Sequence, residues 1–407
     1  MRQRYLTPWI KDIAFLDHKM AFLSGPRQCG KTTLAKLYLQ TYEVGNYFNW
    51  DDIEFRRLWA KNPKNIIQGI PKRKIPLIIL DEIHKAKGWK RSLKGVFDTL
   101  TTPADILVTG SARLNVYKKG GDSLLGRYYH FRLHPFSLAE LLKSLPSKPD
   151  QFFQMILEDV SRPTQEARSI LNALLMFGGF PQPILQQDIK KARLWRQNRV
   201  EKVIREDVRD LSRIPELSQI EMLAALLPER VGSLLSINSL REDLEVSFDT
   251  VKRWLHMLSE LFYIFRISPY SKSIKRSLKK ENKLYLWDYS EIKSQGSRLE
   301  NLVACHLLKA CHFWTDTGEG LFELHYLRNK EKEEIDFLIT REKEPWLPIE
   351  VKSQSHQPVP AWKKFLPMLP CNTGVQLLLS GKEIRCHEMV GGKVYTMPMS
   401  QFLRKLV

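Results

Sequence analysis

Four short apolar runs punctuate the first 135 residues, and polar or glycine-rich segments separate them. Lys19–Ser24, Leu77–Asp81 and Ile106–Ser111 are continuous rather than periodic, and Tyr128–Leu133 is a fourth β-type segment. Runs this short and this apolar predict strands buried on both faces of a parallel sheet. The stretch Thr33–Tyr42 has helical spacing instead. From about residue 136 to 214 the pattern is helical, with turns at Pro163 and at Gly178–Pro181. Within it, residues 195–213 alternate in charge as a solvated helix face does.

Residues 216–290 read as three helices and then strands. Ser236 leads into a short helix, and Ser247 is placed to cap Phe248–Leu261. Phe262–Ile267 and Lys283–Asp288 are β-rich and flank a basic loop, the pattern of a winged helix. A helix over Arg298–Ala310 follows, and then strands at Phe322–Leu327, Glu334–Thr340 and Leu347–Gln354. The chain is therefore expected to be α/β, with a nucleotide-binding core over 1–135 and helices over 136–215. A winged helix over 216–290 and a second α/β domain over 291–407 complete it.

Length and composition agree with several domains. The 407 residues exceed one ordinary core, and 43% hydrophobic with 27% charged residues suits a globular protein. No apolar run approaches the ~18 residues of a membrane helix, and the start MRQRYLTPWIKD lacks a signal-type apolar region. No membrane partner or export is expected. Five cysteines, without paired or zinc-type spacing, fit a reducing cytoplasm. The net charge of +19 changes the picture more: it favours a phosphate backbone as partner, with an acidic protein as the alternative.

The first apolar strand runs into Gly25-Pro26-Arg27-Gln28-Cys29-Gly30-Lys31-Thr32-Thr33, a complete G-x-x-x-x-G-K-[ST] phosphate loop followed at once by a helix. Its glycines let backbone N–H groups face the phosphates of ATP, and the helix N-terminus adds positive potential. Lys31 is expected to neutralise the terminal phosphates and Thr32 to ligate Mg²⁺. The strand Leu77–Asp81 ends in Asp81-Glu82. Asp81 is expected to hold the Mg²⁺ shell, and Glu82 to orient and deprotonate the attacking water.

With Pro135-Phe-Ser-Leu-Ala-Glu140 and Gly178-Gly-Phe-Pro181, the order of these pieces resembles a widespread prokaryotic AAA+ ATPase family. Its members carry a C-terminal domain of poorly known function that looks like a restriction-endonuclease fold. Most have a small aliphatic residue where Cys29 stands. The resemblance implies an AAA+ core, a helical lid and a homo-oligomeric ring, expected as a hexamer. It also implies a sensor side chain at the end of the third strand, assigned to Ser111, and an arginine finger at Arg127, which reaches a neighbour's phosphate. The alternative for Arg127 is a residue that pins its own loop.

Between Val251 and Lys283 nine basic residues face two acids, Glu260 and Glu281. Lys252, Arg253, Lys275, Arg276, Lys279 and Lys280 are the candidate contacts to DNA, duplex or branched, with Arg266, Lys272 and Lys283 in the same cluster. A winged helix that contacts protein is the rival. In the last domain Asp336, Glu350 and Lys352 make the D-x(n)-E-x-K pattern of restriction-endonuclease-like nucleases, in which two carboxylates hold Mg²⁺ and the lysine serves the attacking water. Glu300 could complete that metal shell. An inactive DNA-binding platform stands beside an active nuclease. The leading expectation is an oligomeric ATPase acting on DNA, by translocation, junction or strand remodelling, or ATP-gated cleavage. Its rivals are a nucleotide-controlled switch and a protein-remodelling ATPase.

Overall fold

Each apolar run of the first 135 residues forms a strand in the computed structural model, which describes residues 4–69, 71, 74–110, 124–158, 164–208, 217–271 and 281–407. The chain divides into two compact units, Met1–Pro135 and Phe136–Val407.

In the first unit, β1 (Met20–Ser24), β2 (Gly45–Asn49), β3 (Leu77–Asp81), β4 (Asp105–Thr109) and β5 (Tyr128–Arg132) form one parallel sheet in the order β2-β3-β4-β1-β5. Both β1 and β3 are buried along their whole length, which is why neither alternates polar with apolar residues. Phe22, Ile78, Leu80, Ile106 and Val108 pack with Trp59 and Trp89 of the helices Ile53–Lys61 and Trp89–Asp98. Burying each such side chain contributes roughly 1.5–3 kcal/mol. The order has a functional consequence. Because β4 lies between β1 and β3, the C-terminal ends of these three strands bring the phosphate loop, Asp81 and the end of β4 side by side.

The second unit begins with helices, among them Gln165–Phe177 and Ile189–Glu201. Ser236 and Ser247 cap Ile237–Asp243 and Phe248–Glu260 by accepting from the N–H groups of Ser239 and Thr250. Next, β6 (Ile264–Pro269) and β7 (Lys283–Leu286) pair antiparallel. They do not stand apart as a wing. Ser268 and Pro269 pair with His325 and Tyr326 of β8 (Phe322–Arg328), so both strands join an eight-stranded sheet. The other members are β9 (Glu334–Arg341), β10 (Glu344–Lys352), β11 (Thr373–Leu378), β12 (Arg385–Met389) and β13 (Gly392–Pro398), in the order β12-β13-β11-β10-β9-β8-β6-β7. The segments 136–215, 216–290 and 291–407 thus belong to a single compact unit.

The helix after β7 is longer than its apolar pattern suggested, Gln295–Asp316, and buries Leu299, Leu302, Val303, Leu307, Ala310 and Trp314. Among the described residues no helix is long and apolar enough to cross a membrane.

Candidate nucleotide site and carboxylate cluster

The phosphate loop turns where its sequence allows it. Gly25 has φ of +154°, and a Cβ there would lie 2.2 Å from the carbonyl oxygen of Leu133. Gly30 takes the left-handed conformation that caps the helix Lys31–Leu39. Cys29 is buried, with its thiol 3.6 Å from the Leu133 carbonyl, and Arg4 donates to the Cys29 carbonyl at 2.6 Å. Arg27 is half-buried at the loop, Gln28 is exposed with a positive φ, and Pro26 is buried.

Lys31 folds back, donating to the carbonyls of Gly25 (2.9 Å) and Pro26 (2.7 Å). It is therefore held over the loop that would receive the phosphates. Thr32 donates its hydroxyl to Asp81 Oδ2 at 2.8 Å, while Thr33 is exposed one residue on. A hydroxyl and a carboxylate at this spacing are hard oxygen donors that fit Mg²⁺ alongside phosphate and water.

Asp81 also accepts from Tyr47 at 2.8 Å and, on its other oxygen, from Thr109. Neither partner was visible in the sequence pattern. Tyr47 is on β2 and Thr109 closes β4, so only the sheet order brings them to Asp81. Ser111, two residues beyond Thr109, lies outside the described residues.

Glu82 has φ of +58°, a strained conformation for a side-chain-bearing residue. Its N–H donates to the Thr109 carbonyl at 2.9 Å, and its carboxyl is 3.5 Å from His84 and 3.6 Å from Lys85. Burial raises the Glu82 carboxyl above its ordinary range, with Lys31 and Lys85 pulling the other way. A carboxylate with raised proton affinity is a better base toward water.

Arg127 pairs within its own unit: its Nε is 2.6 Å and its Nη2 3.0 Å from the carboxylate of Asp98.

In the second unit β9 and β10 bring the other carboxylates together. The Asp336 N–H donates to Glu350 at 3.1 Å, and Asp336 accepts from the N–H of Val351 at 2.9 Å. Lys352 reaches Glu350 at 2.5 Å. Glu300 comes in from its helix and accepts from Tyr285 at 2.8 Å. The expected residues therefore do converge, but with a partner that the sequence reading placed elsewhere. Lys283, which the sequence groups with the basic cluster around residues 252–280, is only 2% exposed. Its ammonium lies 2.5 Å from Glu334, 3.1 Å from Glu300 and 3.7 Å from Asp336.

Burial would lower the Lys283 pKa, but Glu300, Asp336 and Glu334 raise it well above the usual lysine range. Burial and Asp336 push Glu300 and Glu350 up to about 7, and burial raises Asp336 as well. Among the described residues no group of three His, Cys, Asp or Glu is arranged to hold a metal ion. The ammonium of Lys283 occupies the space between Glu300, Glu334 and Asp336.

Lys252 and Arg253 are exposed on the helix Phe248–Glu260, with His256 one turn on, while Val251, Trp254, Leu255 and Leu258 face the core. Lys272, Lys275, Arg276, Lys279 and Lys280 lie outside the described residues.

Residues 17–142 match the family model of an AAA domain. Residues 168–292 and 295–400 match two domains of unknown function, DUF8612 and DUF4143. An uncharacterized protein of Haemophilus influenzae is 22% identical over 83% of this chain and 83% of its own. One of Methanocaldococcus jannaschii is 24% identical over 81% of this chain and 74% of its own. Among solved structures, AMPPCP-bound DnaA from Aquifex aeolicus is similar at a TM-score of 0.27 and 16% identity, over 59% of this chain and 81% of that one. That superposition is too loose to carry an argument. The family match coincides with the phosphate loop, the Asp81 strand and the five-stranded parallel sheet, and the first unit of this chain is an AAA-type P-loop domain.

Proposed function

We propose that this chain hydrolyses ATP with Mg²⁺ and couples hydrolysis to work on DNA as a homo-oligomeric ring, with a hexamer as the expected size. The observation that carries the ATPase reading is the convergence of Lys31, Thr32, Asp81 and Glu82 at the ends of adjacent elements. Lys31 exchanges its two loop carbonyls for phosphate oxygens. Thr32 and Asp81 would hold Mg²⁺, which would offset charge on the phosphates. Glu82 accepts the proton of the attacking water. Arg127 completes a neighbour's site only by leaving Asp98.

The net charge of +19 and the exposed Lys252 and Arg253 support a nucleic-acid partner. The test is ATP turnover measured with and without duplex, forked and four-way-junction DNA across salt. Stimulation that fades steeply with salt supports the reading. Turnover indifferent to every DNA would remove DNA from it and leave a protein-remodelling ATPase.

A second reading concerns the carboxylate cluster, and Lys283 is the observation that favours it. With its charge among Glu300, Glu334 and Asp336, the second unit serves as a DNA-binding platform rather than a metal-dependent nuclease. Mg²⁺- or Mn²⁺-dependent nicking that is lost in Asp336→Ala, Glu350→Ala and Lys352→Ala would overturn it.

A further inference from the structure

Arg266 is half-buried on β6, yet among the described residues its guanidinium has neither an ion-pair carboxylate nor a hydrogen-bond acceptor. Burial draws it below the ordinary arginine range, and only the more distant charge of Glu260 opposes this. A half-buried guanidinium with no protein acceptor keeps its donors available to an anion.

The side chain lines a cavity of about 460 Å³. Phe262, Trp287 and Leu308 give the cavity an apolar wall, and Asn282 offers a polar edge beside His312. The volume lies within the ~300–1,000 Å³ of small-molecule sites, far more than one phosphate occupies. The sequence between Arg266 and Asn282 adds five basic residues against one acid, Glu281, which favours an anion on approach.

We propose that this cavity binds one nucleotide unit, with its phosphate on Arg266 and its base against Phe262, Trp287 and Leu308. A guanidinium takes two phosphate oxygens at once, and the Asn282 amide can meet the edge of a base. The unit comes either as a free nucleotide or as part of a single strand. The second source rests on the DNA reading above; the first does not.

The experiment uses the full chain carrying Lys31→Ala, so that the phosphate loop does not mask the result. Binding of dTMP is measured by calorimetry and of fluorescein-labelled oligo(dT) by anisotropy, with labelled duplex as a third probe. Arg266→Gln should weaken dTMP by about tenfold or more, the loss of one charge-assisted contact, and Arg266→Lys should weaken it less. Leu308→Trp, which fills the cavity and keeps the charge, should also abolish dTMP binding, so the test survives if Arg266→Gln does not fold. Parallel loss of oligo(dT) identifies the strand as the source; loss of dTMP alone identifies the free nucleotide. No dTMP binding, or binding unchanged by folded Arg266→Gln and by Leu308→Trp, overturns the site. Duplex binding that persists in that event leaves the DNA reading intact.

Discussion

Replacing Lys283 by Met should destabilise the second unit more than any substitution at an exposed lysine. At an effective dielectric of ~20, each of its contacts with Glu334, Glu300 and Asp336 gives a gross attraction of ~4–7 kcal/mol. Desolvation cancels most of that in the intact protein. Removing only the cation leaves Glu300 and Asp336 without their nearest positive charge, while Glu334 keeps Arg328 at 2.8 Å; such a loss costs ~3–5 kcal/mol. For a unit of this size the loss corresponds to a drop in Tm of roughly 10 °C.

The loss must also depend on pH. Glu300 and Glu350 titrate about 7 in the fold, above their ordinary 4.5. A carboxyl with a raised pKa contributes stability below its unfolded pKa, and that contribution is lost as pH rises toward the folded value. Met at 283 pushes Glu300 and Asp336 higher still, so the variant can take up protons and recover near pH 5 but not near pH 8. Thermal unfolding followed by near-ultraviolet circular dichroism at the two pH values measures this. A loss within ~0.5 kcal/mol, the scale of an ordinary surface substitution, would refute the buried-cation argument. A large loss equal at both pH values would refute its electrostatic part.

Glu82→Gln should bind ATP normally but slow steady-state hydrolysis by ~10²–10⁴; unchanged turnover would assign the water to another residue. Gly25→Ala sets a methyl against the Leu133 carbonyl at a φ few residues tolerate. It should cost ~1–3 kcal/mol in urea unfolding from strain alone and weaken ATP binding in equilibrium titration. Arg127→Ala, mixed with Lys31→Ala subunits, should regain ATPase activity if Arg127 serves a neighbour. If it only pins its loop through Asp98, the mixture stays at the sum of its parts and Arg127→Ala lowers Tm.

The candidate nucleotide site was legible because its determinants are local. Two glycines, a lysine and a hydroxyl within nine positions make the loop, and a continuous apolar run announces the strand before Asp81. Tyr47 and Thr109 were not legible, since their role depends on which strands are neighbours. Lys283 is the sharper case. In sequence it follows a basic loop and looks like part of it, and only the pairing of β6 with β8 carries it in among Glu300, Glu334 and Asp336. Composition reports charge along the chain and cannot report which charges are enclosed. Asp336, Glu350 and Lys352 lie between these extremes. Their alternation on adjacent strands was readable, whereas the ammonium beside them was not.

The pairing of β6 with β8 also dictates where this chain can be cut. A fragment starting at residue 291 would lose the two strands that cover one side of β8, leaving unpaired N–H and C=O groups as a template for aggregation. It would also strip three carboxylates of their cation. The boundary between the two compact units lies between Pro135 and Phe136. On the ribosome, residues 264–286 emerge well before their partner at 322–328, so the newly made strands must wait for some forty more residues. Such non-local pairing is slow to form, and a chain with this topology completes its second unit only after the strand Gly392–Pro398 has been made.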